Sequence, residues 1–429
     1  MRILIQCSCL TLLCLATLRP VSAQESDNQL DMSSNVLEKF YSGLHFSGYG
    51  VVNYYHFDWE TLPDKNDALD PERMNLYMYY PFTDRIQLKT EIEFEHGGTG
   101  TTMSFDPLEE FGEFEPEVEK GGEVVLEQMN ILFQLNNHMA IRAGKFRVFM
   151  GNAAMQDEPN EYFTGYRSEV ENTVLPLGWY ETGIELNGII PLSADFPRIE
   201  YKAYLMSGLD NSAFSSANWI RRGYQTRFEM INADAMAFAS RFDLVLQKDH
   251  RIGIAAYAGN PSENRPKDDF NMPSWVTFGD IHYALTMPAF RLSAYGMMGH
   301  VQNSEALSEA NRNLSNNLGV KRTPVGKAAA GAYIEAGYDV LHPLAQTEWQ
   351  CFVFGRFDWY DTMFQTAGEV SDNPRYARTV YTAGINVLPI EEIALKAHYA
   401  YRTLGSGETE NTFLIGLGFL IIFLIILLK

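Results

Sequence analysis

Ile86-Gln87-Leu88-Lys89-Thr90-Glu91-Ile92-Glu93-Phe94-Glu95 alternates apolar and charged or polar side chains with a period of two. In an extended chain every second residue shares a face. Ile86, Leu88, Ile92 and Phe94 therefore lie on one side, and Gln87, Lys89, Glu91, Glu93 and Glu95 on the other. The pattern recurs in about sixteen stretches, which suits a sheet with one face in lipid and the other in water. The expected fold is all-β: a transmembrane antiparallel β-barrel, with strands near residues 44 to 58, 72 to 82, 84 to 96, 346 to 360 and 410 to 420 among the set.

The connections alternate in length. Tight turns such as Thr83-Asp84, Asn136-Asn137 and Lys248-Asp249 are followed by long segments at 59–71, 97–121, 149–176, 209–233, 260–273, 302–326 and 361–375. Short periplasmic turns and long outer loops are the asymmetry of outer-membrane barrels. Within one outer loop, Ser304 to Asn317 is rich in Ala, Leu, Glu and Asn and reads as a short helix.

The ends of the chain carry their own signals. Residues 1–23 combine Arg2, an apolar run and the small-residue ending Val21-Ser22-Ala23, the pattern of a secretory signal peptide, and 24–43 read as a short periplasmic segment. The barrel is placed at 44–420, with 421–429 as an atypical apolar tail. Cleavage of the leader leaves Cys351 as the mature chain's cysteine, so no intrachain disulfide is expected and the thiol reads as a small hydrophobe.

Composition narrows the function. Lys plus Arg number 33 against 54 Asp plus Glu, a formal charge of -21, which disfavours a nucleic-acid partner. No Gly-x-Ser-x-Gly elbow and no His-Glu-x-x-His pair occurs, so catalysis, a metal site and a cofactor are not expected.

Parity also selects the residues that line the bore. Lys89, Glu91, Glu93, Lys202, Arg241, Arg356, Asp358, Lys396 and Arg402 are expected to face inward, because Arg or Lys on the lipid face costs about 2–4 kcal/mol near the midplane. Lys145 and Arg147 have the opposite parity to Arg142, so a bulge or the start of the loop must intervene if all three line the passage. The inward cations read either as a path for anions or as partners of acids on neighbouring strands. The connection from Phe149 to Pro176 carries Asp157, Glu158, Glu161 and Arg167 and is the candidate for a constriction folded into the bore. The 97–122 loop, with Glu109, Glu110, Glu113, Glu115, Glu117 and Glu119, reads as a solvated rim. Tyr54, Tyr55, Trp59, Trp349, Phe357, Trp359, Tyr360, Tyr399 and Tyr401 read as interfacial aromatic girdles.

Ile141-Arg142-Ala143-Gly144-Lys145-Phe146 with Phe149-Met150-Gly151, then Trp179-Tyr180-Glu181-Thr182-Gly183, Ala239-Ser240-Arg241-Phe242-Asp243, Gly355-Arg356-Phe357-Asp358-Trp359-Tyr360-Asp361, and Gly384-Ile385-Asn386 leading to Leu395-Lys396-Ala397, occur in this order. In these motifs the chain resembles the phosphate-selective porin O and P family of Gram-negative outer membranes. The resemblance implies a sixteen-stranded, trimeric barrel with basic residues in the lumen, matched here by Arg142, Lys145, Arg241, Arg356 and Lys396. The expected function is a passive diffusion channel in the outer membrane for small hydrophilic solutes or ions, including anions. Its partners would be outer-membrane lipid, solute and two further copies of the chain. A non-conducting barrel acting as a surface binding or scaffold protein is the alternative.

Overall fold

The computed structural model describes residues 41–97, 102–105, 116–119, 123–176, 178–225, 230–247, 249–267, 269–312, 314, 322–344 and 349–424. The signal peptide, most of the 24–43 segment and Glu109, Glu110, Glu113 and Glu115 of the acidic loop lie outside these residues.

The strands are β1 (His45–Trp59), β2 (Ala68–Thr83), β3 (Ile86–Glu95), β4 (Thr102–Phe105), β5 (Pro116–Glu119), β6 (Glu123–Asn136), β7 (Met139–Arg147), β8 (Tyr180–Pro191) and β9 (Arg198–Ser207). They continue as β10 (Met236–Gln247), β11 (His250–Gly259), β12 (Val276–Thr286), β13 (Phe290–Val301), β14 (Ala328–Asp339), β15 (Gln350–Gln365), β16 (Ala377–Ile390), β17 (Ile393–Leu404) and β18 (Thr409–Leu424). Among the described residues two α-helices lie between strands, α1 (Glu169–Val174) and α2 (Ser304–Arg312). Sixteen strands close into one antiparallel barrel in which each pairs with its sequence neighbours in the wall, and β1 pairs with β18. Closure satisfies the strand edges without a partner, which is what lets a sheet cross hydrocarbon. No described helix is long and apolar enough to cross a membrane.

Alternation sorts the two faces as expected. In β3, Gln87, Glu91 and Glu93 are buried inside while Ile92 and Phe94 are exposed outside. In β17, Lys396 and His398 are buried and Leu395, Tyr399 and Tyr401 are exposed.

Three expectations change. The closing strand does not stop at residue 420: its ladder with β1 continues through Gly48↔Ile421 to His45↔Leu424, so the start of the apolar tail is barrel wall. The acidic loop is not wholly irregular, since β4 and β5 form a hairpin within it. Tyr55, Trp59 and Tyr360 do not belong to an outer girdle. The Tyr55 hydroxyl donates to Glu72 at 3.2 Å, the Trp59 indole donates to Thr412 at 3.1 Å, and Tyr360 is buried inside. A ring with a polar tip suits a charged interior as well as a headgroup layer, so composition alone does not separate the two positions.

Candidate functional site: the loop inside the bore

Buried ion pairs line part of the inner wall, beside an apolar cluster that includes Phe146, Tyr204, Tyr295 and Tyr333. Arg142 Nη1 lies 3.7 Å from Glu185, Lys202 Nζ 3.1 Å from the same carboxylate, Arg241 Nε 2.6 Å from Asp243 and Arg356 Nε 2.8 Å from Asp358. Barrel register brings some of them together, since Arg142 stands opposite Glu185 and Arg356 opposite Glu335. An unpaired charge here costs several kcal/mol, on the order of 3–5 when one partner is removed, so the wall is built in complementary sets. Glu91 and Glu93 accept from the Asn75 amide at 2.7 and 2.6 Å, and Lys89 Nζ sits 5.3 Å over the Tyr77 ring. Lys145 belongs to none of these pairs, but its charge acts on the largely buried carboxylates Glu127 and Glu181. Its amine donates to the Leu126 carbonyl at 2.9 Å, and its register partners Met129 and Thr182 are exposed.

The chain between β7 and β8 turns into this wall and is fastened to strands around the barrel. Gly151 begins the descent at φ +67, where a side chain would be strained, and its N–H donates 3.1 Å to Asp280 of β12. Arg241 of β10 donates to the Gly151 carbonyl, and the Asn152 amide donates to Ala294 of β13 at 3.0 Å. Asp157 then lies between Arg147, 2.7 Å away, and Arg167, 2.8 Å away, while the hydroxyls of Tyr49 and Tyr77 donate to it. Arg147 is the last residue of β7, so the start of the loop resolves its opposite parity.

Further along, Arg291 donates to the Asn160 carbonyl at 3.0 Å, and the Phe163 ring packs 5.2 and 5.1 Å from those of Phe352 and Phe354. Lys396 donates to the carbonyls of Tyr162 and Thr164 at 2.7 and 2.8 Å, and Arg356 to the Thr164 hydroxyl at 2.9 Å. Ser168 caps α1, accepting from the Glu171 N–H at 3.5 Å, and donates to Asp358 at 3.3 Å. Arg402 Nε and Nη2 donate to the two oxygens of Glu169 at 3.0 and 2.9 Å, and the Tyr360 hydroxyl adds 3.1 Å. The division of labour is consistent: the wall supplies most of the donors and the loop supplies carbonyls and carboxylates.

Burial and these partners separate the loop's acids. Burial opposes ionisation of Asp157, but Arg147 and Arg167 outweigh it and hold the group below the usual carboxylate range. Burial likewise opposes ionisation of Glu169, which Arg402 nevertheless brings down to about 2. Burial raises Glu171 to about 8 even though the Ala153 N–H donates to it at 2.9 Å. Glu161 also rises to about 8, from burial and the neighbouring Glu158, while accepting from the backbone N–H groups of Asp157 and Glu158 at 2.7 and 3.0 Å. Glu158 rises through burial and the charge of Asp157.

Asp157, Glu158, Glu161 and Arg167 thus divide into an ion-paired latch, Asp157 with Arg167, and two acids, Glu158 and Glu161, at the turn that follows. A pocket beside the loop is lined by Glu93, Glu95, Glu127, Arg73, Arg167 and Tyr180, so the space next to the loop is acid-rich while much of the basic wall lies under it. Among the described residues no group of three or more His, Cys, Asp or Glu side chains is placed to hold a metal ion. The sequence reading missed Tyr49, Tyr77, Arg291, the role of Glu169 and that of Asn386, whose amide donates to the Tyr162 carbonyl at 3.2 Å. Tyr49 and Tyr77 share the buried parity of Asn53 and Asn75, which was the available signal.

Comparison with solved structures finds the same architecture. A loop-deletion form of OmpT, an outer membrane protein of Vibrio cholerae, superposes with a TM-score of 0.51 at 10% identity, covering 88% of this chain and 98% of that one. The fold is that of the Gram-negative outer-membrane barrels. The outer membrane channel DcaP of Acinetobacter baumannii gives 0.49 at 10% identity over 90% of this chain and 99% of that one. An anion-selective porin from Comamonas acidovorans gives 0.48 at 8% over 88% and 99%. In sequence, an uncharacterised protein of Aquifex aeolicus is 24% identical over 361 residues, 83% of this chain and 75% of its own. No protein-family profile matches the barrel sequence.

Proposed function

We propose that this outer-membrane barrel is a porin: a passive, non-catalytic diffusion channel for small hydrophilic solutes and ions, assembled as a homotrimer, with the loop between β7 and β8 as its constriction. The observation that carries the reading is the inserted loop itself, a segment fastened by hydrogen bonds and ion pairs inside a charged bore. A loop held in this way sets the width of a water-filled passage and exposes or covers its charges. Lys89, Glu91, Glu93, Arg142, Lys202, Arg241, Arg356, Asp358, Lys396 and Arg402 line the bore in this reading, and Arg147 joins them at the loop's root. Ion preference then follows loop position: the space beside the loop is acidic, and loosening the loop uncovers basic wall. The resemblance to phosphate-selective porins supports anion passage once that wall is uncovered.

Planar-bilayer recording of the purified full-length protein tests the reading. Discrete conductance steps are expected, with a reversal potential that moves toward anion preference when Asp157 is changed to Asn. Absence of steps from a folded sample would overturn it. The number of loop attachments favours a second reading, a closed barrel that presents its outer loops as a binding or scaffold surface. Liposomes carrying the protein that exclude even small sugars would select that reading.

A further inference from the structure

Glu169 is held in the way a bound carboxylate is held. Its two oxygens face the Nε and Nη2 edge of Arg402 at 3.0 and 2.9 Å, the bidentate geometry that matches a planar guanidinium to a carboxylate. The Tyr360 hydroxyl donates to Oε2 at 3.1 Å, and Tyr166, on the loop, donates to Oε1 at 3.2 Å. The wall partners are fixed independently of the loop. Arg402 Nη1 is tied to Glu410 at 2.7 Å, which leaves the opposite edge of the guanidinium turned to the lumen. Glu410 is itself anchored by the Thr61 hydroxyl at 2.5 Å. Arg378 lies 6.0 Å from the centre of the Tyr360 ring, and its buried Nε has no hydrogen-bond partner. The Glu169 carboxylate is 4% exposed, which makes its contact with Arg402 a desolvated one.

We propose that Arg402 and Tyr360 form a carboxylate-binding site on the inner wall, which Glu169 of the loop fills as an internal ligand and for which a carboxylate-bearing solute competes. Entry of the solute's carboxylate releases α1 from β15 and β17, so the solute loosens the constriction it has to pass. The same donors could receive a phosphate, but two planar oxygens already seated on the guanidinium edge favour the carboxylate. The proposal deepens the channel reading and rests on it, yet it is read out without conductance, so the two can fail separately.

Hydrogen exchange of residues 156–176 in the full-length wild-type protein, with succinate as the probe, tests it. Succinate is expected to speed exchange across α1 at least tenfold, whereas sodium chloride of equal ionic strength is not. No change with succinate, or an equal change with chloride, overturns the proposal. An equal change with phosphate overturns the carboxylate assignment. Glu169→Gln supplies a second measurement: calorimetric titration should show succinate binding at least tenfold tighter than in the wild type. Adding Arg402→Gln should abolish that gain, and retention of the gain in the double variant overturns the site. If Glu169→Gln fails to fold, the wild-type exchange result decides alone.

Discussion

Arg147 at the end of β7 and Asp157, ten residues on, meet at 2.7 Å where the chain has turned back into the barrel. The contact closes the root of the loop, and Arg167 completes it from the other side at 2.8 Å. Asp157→Asn keeps the shape and removes the charge, which costs about 1.5–3 kcal/mol for hydrogen bonds to charged groups. The undocked population of the loop should rise at least about tenfold, since 1.4 kcal/mol is a factor of ten. Hydrogen exchange across 149–176 measures it, and an unchanged profile would show that the pair is incidental.

Gly151 sets where the loop enters the bore. Its φ of +67 lies in the left-handed region, and a Cβ there would overlap the Glu171 carboxylate. Gly151→Ala is expected to cost about 1–3 kcal/mol of backbone strain. It should also break the Gly151 N–H contact with Asp280, while leaving the barrel itself folded. Circular dichroism with a β-signal unchanged and loop exchange accelerated is the expected pair of results. A protected loop in this variant would place the entry point elsewhere.

The barrel was legible because lipid and water impose opposite demands on alternate residues, as β3 displays with Glu91 inside and Ile92 outside. The closing strand was harder to read. Beyond Leu420 the run Ile421-Ile422-Phe423-Leu424 contains no polar residue, so parity carries no signal there, and only the ladder with His45 to Gly48 shows it to be wall. The site was half legible for a related reason. Inward charges such as Arg356 and Lys396 follow from alternation, but their loop partners do not: Lys396 and Tyr162 are separated by 234 residues and meet through a backbone carbonyl, which has no sequence signature.

Phe163 anchors the far side of the loop. It is 3% exposed and lies against Phe352 and Phe354 in an apolar patch separate from the larger buried apolar cluster that includes Val170, Val174 and Tyr333. Phe163→Ala removes that contact at a cost on the order of 3 kcal/mol. The cost falls on docking of the loop, so bilayer conductance should increase and the protein's resistance to heat should change little. The opposite pattern, a lower melting temperature with unaltered conductance, would assign Phe163 to the barrel's stability instead.

Loop docking should depend on pH with two limbs of opposite sign. Glu171, faced by Asp280 and Arg241 of the wall and by the Ala153 N–H, is raised by burial from 4.5 to about 8 when docked. Between these values the released loop binds fewer protons than the docked one, so docking weakens as pH rises from 4.5 through about 8. Glu161, raised to about 8 beside Glu158, acts in the same direction. Glu169 has the reverse behaviour: held at about 2 by Arg402 against burial, it contributes fully above 4.5 and its contribution disappears as pH falls toward 2. Conductance is therefore expected to rise from pH 4.5 to about 8, as docking of the two raised acids weakens. Glu171→Gln, which stays neutral throughout, should flatten part of that rise. A profile in which conductance falls across the same range, with the wild type folded, would contradict the docking of Glu171 as a neutral acid.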